Sequence, residues 1–285
     1  SWRRVGPVRV QPSGRESKIV VGPTRGLPMK ALMQFQLIRS ATVKISAAGC
    51  TLLVDPYLAP RGGGKTYAGA RTSPLVELPQ PLEEILRGVD AVFVSHLHSD
   101  HFDATAQQQL PKEWPILCPE AIAAPLRAMG FEDVTGIGST LAWRGCTLQL
   151  TGGRHGPDEV LQAMGEVHGF VLQAPGEPLL YWAGDTVWCA EVQAALQHFD
   201  PAVVVVHACG ATWRGLGPLV MDAEQVQAVL QAAPRSTVVA THLDAVDHAT
   251  VSRVDLALHF AALPELGLRL RIPADGQVLD LQTRP

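Results

Sequence analysis

The sequence predicts an α/β (α+β) fold, an αββα sandwich of two mixed β-sheets packed face to face and flanked by helices. Three observations point there. Short β-rich segments fall into two successive blocks, each followed by segments of helical pattern. The runs AVFV (91–94) and AVVVVHA (202–208) are apolar throughout, as strands buried on both faces are. The chain, 285 residues long, is large enough to bury a substantial core without disulfides or a structural metal.

Element by element, QFQLIR, TVKISA and TLLVDP are strand-like and separated by Ser40 and Gly49, which predicts a meander. A Pro/Gly-rich loop spans Pro56 to Pro81, and a short helix lies around Leu82–Leu86. The strand AVFV runs straight into SHLHSDHFD, and a helix from Asp103, an N-cap candidate, to Leu110 follows. PILCP reads as a strand and EAIAAPLRAMG as a helix closed by Gly130. The segments DVTGI, TLAWR, CTLQLTGG, GFVLQAP and LLYWAG return to strand character. Strands and helices then alternate: a helix at Cys189–His198, the strand AVVVVHA, a helix at Asp222–Ala232, the strand TVVATH and a helix at Val251–Leu263. A tail, RLRIP and GQVLDL, closes with strand pattern. Without an internal linker or low-complexity stretch, residues 31–285 read as one domain.

Composition sets outer bounds. Net charge is −4, but residues 1–30 carry seven Lys/Arg against Glu16 alone, leaving −10 for the remainder. The first 30 residues, interrupted by Gly and Pro, read as an irregular basic arm. The acidic body argues against a nucleic-acid or anionic-membrane partner, because those are held by clustered basic residues. Cys50, Cys118, Cys146, Cys189 and Cys209 are scattered without C-x-x-C spacing, which predicts free thiols and a cytoplasmic protein. No apolar run reaches the ~18 residues a membrane span needs. The expected partner is a small molecule, and self-association into a homo-oligomer stays open.

The chemistry lies where apolar strands give way to loops. AVFV is followed by His96, His98, Asp100 and His101; TLQLTGG by His155; LLYWAG by Asp185; TVVA by His242. Strand ends are where α/β folds gather their sites, and imidazole with carboxylate is the donor set of divalent first-row metals. Seven such donors exceed one tetrahedral site and suit a pair of metals sharing a carboxylate.

H-x-H-x-D-H after an apolar strand, a lone His some 50 residues on, an Asp in a G-D-T turn, a His after a late strand and the VDP at Val54–Pro56 together resemble the metallo-β-lactamase superfamily, over about residues 33–282. The resemblance implies His96, His98 and His155 on one metal, Asp100, His101 and His242 on a second, and Asp185 bridging both. It also implies a metal-bridging hydroxide as nucleophile, with Asp100 exchanging a proton with water or leaving group. Two divalent ions are expected, Zn first, then Mn or Fe. True zinc β-lactamases differ: they lack the bridging Asp and place a Cys among the second-site ligands. The pattern here is instead similar to lactonase, glyoxalase, phosphodiesterase and RNA-processing branches, above all the one containing ascorbate-6-phosphate lactonase, which implies a role other than antibiotic hydrolysis.

Other residues compete with blander readings. APRGGGKT (59–66) looks like a phosphate loop, but Ala59 replaces its first glycine and YAGARTSP cannot start a helix. Arg61, Lys65 or Arg71 of that loop are candidates to cover a substrate. His207 at the end of AVVVV, His248 near His242, and His168 before GFVLQA are further substrate-side candidates. His198 and His259 sit on helical patterns and read as structural or surface residues. Thr186 is expected to hold the Asp185 carboxylate, and Asp55 a ligand histidine or a turn. Trp182 reads as core, while Trp188 and Trp213 are candidates for an apolar wall.

The leading expectation is a two-metal hydrolase of a small ester, lactone or phosphodiester. RNA processing is a second reading, resting on the basic arm, and a non-enzymatic metal-bearing sensor or scaffold a third.

Overall fold

A computed structural model describes residues 33–282; the basic arm expected over residues 1–30 lies outside them. The described chain runs β1 (Met33–Arg39), β2 (Thr42–Ala47), β3 (Cys50–Val54), α1 (Leu82–Leu86), β4 (Ala91–Phe93), α2 (Ala104–Gln109), β5 (Ile116–Pro119), α3 (Glu120–Ala128) and β6 (Val134–Ile137). It continues through β7 (Thr140–Trp143), β8 (Cys146–Thr151), α4 (Asp158–Met164), β9 (Gly169–Gln173), β10 (Leu180–Trp182), α5 (Ala190–Phe199) and β11 (Val203–His207). Then follow α6 (Ala223–Ala232), β12 (Thr237–Thr241), α7 (Arg253–Ala261), α8 (Pro264–Gly267), β13 (Leu270–Arg271) and β14 (Val278–Leu281).

These strands form two seven-stranded sheets, ordered β14-β1-β2-β3-β4-β5-β6 and β13-β12-β11-β10-β9-β8-β7. Both are mixed. In the first, β14, β1, β2 and β3 pair antiparallel, and β3 through β6 pair in parallel. In the second, β7 through β10 pair antiparallel and β10 through β13 in parallel.

Three apolar layers hold the sandwich together, and strand alternation sorts residues among them. Val203 and Val205 face the inter-sheet core with Phe35, Phe93, Leu148, Phe170 and Trp182. Their neighbours Val204 and Val206 face the other way, toward Val192 of α5, Val226 and Val229 of α6, and Leu256 of α7. On the first sheet Phe93 points inward, while Val92 and Val94 pack outward with Ala106, Ala123 and Leu126 of α2 and α3. Trp182 is core as expected, stacked on Phe170 with ring centroids 5.3 Å apart.

Three of the expected helices, α2, α6 and α7, start at a side-chain cap. Asp103 accepts from Ala106 N at 3.0 Å and Asp222 from Gln225 N at 2.9 Å, each satisfying an N–H that the first turn leaves open. Two short helices were not expected, α4 and α8. Both begin beside a proline with acidic residues in the first turn, a legible start signal, but each is too short to show a helical period. No helix among the described residues is long and apolar enough to cross a membrane.

Candidate metal centre

The carboxyl ends of the parallel strands β3 and β4 in one sheet, and β10, β11 and β12 in the other, meet at one edge of the sandwich. Each ligand candidate follows one of those ends or, for His155, follows β8. The edge turns sharply. Asp55, after β3, has φ 45°, and His242, after β12, has φ 63°. Side chains other than glycine adopt that region only where their surroundings hold them there.

What holds them is visible. Asp55 is fully buried: its Oδ1 accepts from Ser95 N at 2.7 Å and its Oδ2 from Ser95 Oγ at 2.6 Å. The same Oδ2 lies 2.8 Å from His101 Nδ1, so it fixes that ring with Nε2 turned to the centre. His155 Nδ1 donates to the Leu219 carbonyl at 2.9 Å, which likewise frees Nε2. His242 is held from the first sheet: its N–H donates to Ser40 O at 2.8 Å, and Ser40 Oγ lies 3.3 Å from its Nδ1.

The freed nitrogens converge on Asp185. Its Oδ2 stands 3.0 Å from His101 Nε2, 3.3 Å from His155 Nε2 and 3.7 Å from His96 Nε2, and its Oδ1 3.9 Å from His242 Nε2. Two imidazole pairs also approach nitrogen to nitrogen: His96 Nε2 to His98 Nδ1 at 3.0 Å, and His101 Nε2 to His242 Nε2 at 3.3 Å. His96, His98, His155 and Asp185 form one compact donor group, and His101, Asp185, His207 and His242 a second. Asp100 stands slightly apart, with Oδ2 3.5 Å from His242 Nε2 and 4.0 Å from His101 Nε2.

Electrostatics show what the cluster lacks on its own. Burial works to raise the Asp185 and Asp100 carboxyls, yet His101 with His155, and His101 with His242, hold both well below the usual carboxylate range. Burial would lower His101, but Asp185 and Asp100 outweigh it and push the imidazole up to about 10. Burial drives His96 well below its ordinary value, with His101 adding to the effect. The two buried carboxylates are thus balanced by protons on His101 and His242, both raised above the ordinary imidazole value, among crowded imidazole lone pairs. A divalent cation supplies the charge that such a donor set needs, so the residues fit a metal.

Around this cluster lies a cavity of about 440 Å³. His98, Asp100, His155, Asp185 and His242 form its floor; Leu97, Met164, Trp213, Leu219 and Val220 give an apolar wall; Lys65, Tyr67, Ser99 and His248 add polar groups. Of the six substrate-side candidates, Lys65 and His248 line the cavity, and Arg61, Arg71, His168 and His207 do not. His207 is buried behind Asp185, with Nδ1 2.6 Å from Oδ1, because it ends an interior strand; burial lowers its pKa to about 4 despite the carboxylate. His168 lies outside the lining, with Nε2 3.5 Å from Glu166 Oε1. Arg61 is exposed on the loop, its N–H bonded to Glu77 Oε2 at 3.3 Å, whereas Lys65 reaches the cavity. Thr186 bonds not the carboxylate but the loop beside His155, accepting from Arg154 N at 2.9 Å and donating to Val187 O at 2.9 Å. Trp213 forms apolar wall, and Trp188 packs on the helix-side core instead. His198 and His259 sit on α5 and α7, away from the cavity.

Sequence reasoning missed Ser40, Tyr67 and Asp247. None carries a local signal, since each acts on residues far along the chain. Asp247 accepts from Thr66 Oγ1 at 2.7 Å, Tyr67 N at 2.8 Å and Arg71 N at 3.2 Å, closing the loop over the cavity. These bonds hold its carboxyl well below the usual range although burial opposes them.

Residues 51–243 match the Beta-lactamase superfamily domain. The chain belongs to this superfamily. Among its members, UPF0173 protein YddR of Bacillus subtilis is 36% identical over 251 residues, covering 86% of this chain and 98% of that protein. In the superfamily fold, the structure of a possible metal-dependent hydrolase from Veillonella parvula aligns with TM-score 0.85 and 33% identity, over 88% of this chain and all of that one. An isothiocyanate hydrolase from Delia radicum gut bacteria aligns with TM-score 0.82 and 33% identity, over 88% and 99%.

Proposed function

We propose that this chain is a hydrolase that uses two divalent metals on a small ester, lactone or phosphodiester. The observation carrying this reading is that one carboxylate, Asp185, lies between two histidine groups, each with a pair of ring nitrogens facing each other at 3.0 and 3.3 Å. His96, His98 and His155 would hold one ion and His101, His242 and Asp100 the other, with Asp185 shared. The chemistry that divalent ions would supply there is a water whose pKa falls to near neutrality and a polarised scissile bond. The chain's own residues do the rest. Asp55, Ser40 and Leu219 fix the rings, Asp100 at the cavity floor is placed to accept or return a proton, and the Leu97–Trp213 wall excludes water. The absence of Cys from the donor set and the presence of Asp185 support kinship with the lactonase branch rather than with antibiotic-hydrolysing enzymes.

A second reading is favoured by one relative. An isothiocyanate hydrolase is 33% identical across almost its whole length. An isothiocyanate carbon is an electrophile of the same kind as an ester carbonyl: adding water gives a thiocarbamate that collapses to amine and carbonyl sulfide.

The test is turnover of 4-nitrophenyl acetate, a homoserine lactone, bis(4-nitrophenyl) phosphate and 2-phenylethyl isothiocyanate, before and after chelation and metal repletion. Metal-dependent turnover of at least one supports the reading, and the preferred one chooses the class. Undiminished turnover in the chelated protein, or none under any condition, overturns it.

A further inference from the structure

The Pro/Gly-rich loop after β3 supplies no donor to the metal centre, and its geometry is specific. Residues 65–71 carry no regular structure, yet a carboxylate some 180 residues away holds them. Asp247 gathers the hydroxyl of Thr66 and the N–H groups of Tyr67, Ala68, Ala70 and Arg71, the last three at 3.2 to 3.3 Å. Ser73 Oγ in turn accepts from Asp247 N at 3.0 Å, so the clamp closes from both sides. A carboxylate that accepts this many donors fixes backbone, and what it fixes here is the side chain of Tyr67.

The Tyr67 ring packs against His248 with centroids 4.8 Å apart, and its hydroxyl lies 2.9 Å from Ser99 Oγ. Ser99 stands between the ligand candidates His98 and Asp100, so the phenol reaches the rim of the metal centre. Among the described residues, Tyr67 is the one tyrosine lining the cavity, and Lys65 the one Lys or Arg. The rest of the wall is apolar, with Met164, Trp213 and Val220. A phosphodiester or sugar phosphate is normally met by several cations or backbone amides; this wall offers one lysine on an exposed loop.

We propose that Tyr67, presented by the Asp247-clamped loop, donates a hydrogen bond to the substrate and, with the apolar wall, selects a small uncharged aryl or alkyl electrophile over a phosphodiester. This deepens the hydrolase reading and rests on it for turnover, but not for binding. Ser99 and His248 are positioning residues that hold the phenol.

The experiment uses the metal-loaded full chain and its Y67F variant, both checked for equal metal content and melting temperature. Two readouts separate the claims: calorimetric binding of 4-nitroacetanilide, a slowly hydrolysed amide, and kcat/KM on 4-nitrophenyl acetate against bis(4-nitrophenyl) phosphate. Loss of one neutral hydrogen bond predicts about tenfold weaker anilide binding and about tenfold lower kcat/KM on the ester, with the phosphodiester rate little changed. Tyr67-dependent binding without turnover of any of the four substrates named above would overturn the hydrolase reading and leave the subsite intact. Equal binding and equal kcat/KM in Y67F overturn the proposal, as does a wild-type protein that neither binds the anilide nor cleaves the ester. Should Y67F lose metal or stability, S99A gives the second measurement: it keeps the phenol but removes the hydroxyl that holds it, so anilide affinity should fall severalfold at unchanged metal content, and unchanged affinity overturns the assignment.

Discussion

Ser40 grips His242 at two points, its carbonyl accepting the His242 N–H at 2.8 Å and its hydroxyl standing 3.3 Å from Nδ1. The two residues are 202 positions apart and both lie in the left-handed region, with φ 58° and 63°. A hairpin of the first sheet thus aims a donor that the second sheet supplies. Ser40→Ala keeps the backbone bond and removes the hydroxyl. The expected result is a metal affinity lowered about tenfold or somewhat more, read by competition with a chromogenic chelator, with little change in melting temperature.

Asp185 lies within 4 Å of His96, His101, His155 and His242. Asp185→Ala is therefore expected to reduce the bound metal of the whole centre, whereas His98→Ala should reduce chiefly one equivalent. Elemental analysis after dialysis separates the two. Retention of full metal by Asp185→Ala would show that the carboxylate is not shared.

Arg39 is buried, and among the described residues no carboxylate forms an ion pair with it. It donates instead to the carbonyls of Tyr57, Ala59 and Val76, at 2.7, 2.8 and 3.1 Å, and ties both ends of the loop that follows β3. Arg39→Met leaves three acceptors without that donor and should cost about 3 kcal/mol in chemical denaturation. A loss below half of that would mean that water replaces the guanidinium.

The Asp247 clamp titrates. Its folded carboxyl lies below the ordinary range, so its stabilisation is complete above the unfolded value of about 3.9 and is lost as pH falls toward the folded one. The stability gap between the wild type and Asp247→Asn should be flat from about pH 5 to 8 and narrow below about pH 4. Denaturation midpoints across that range measure it, and a gap that widens in acid contradicts the assignment.

Much of this fold is legible in the sequence because period and strand ends are local properties. AVFV and AVVVV read as doubly buried strands, and each packs residues into both an inter-sheet and a helix-side layer. The histidines after them are legible for the same reason: a polar residue ending an apolar strand has few places to go. Asp55 was readable as the partner of a ligand histidine because the VDP turn directly follows a strand. His207 misled because a strand end does not say which side of the centre a ring occupies; the ring is buried against Asp185 instead of lining the cavity. Thr186 misled because adjacency in sequence does not make contact, and its hydroxyl serves the neighbouring loop. Ser40, Arg39 and Asp247 left no trace, since their partners are fixed only by tertiary closure.

The two sheets repeat one plan, antiparallel ladders followed by parallel ones, and the ligand candidates divide along it. His96, His98, Asp100 and His101 come from the first half of the chain, and His155, Asp185 and His242 from the second. A cation held between them is also a cross-link, and its binding energy becomes cohesion between the halves: about 4 kcal/mol when free metal exceeds its dissociation constant a thousandfold. Metal supply would then govern not only whether the centre can act, but how firmly the sandwich stays shut.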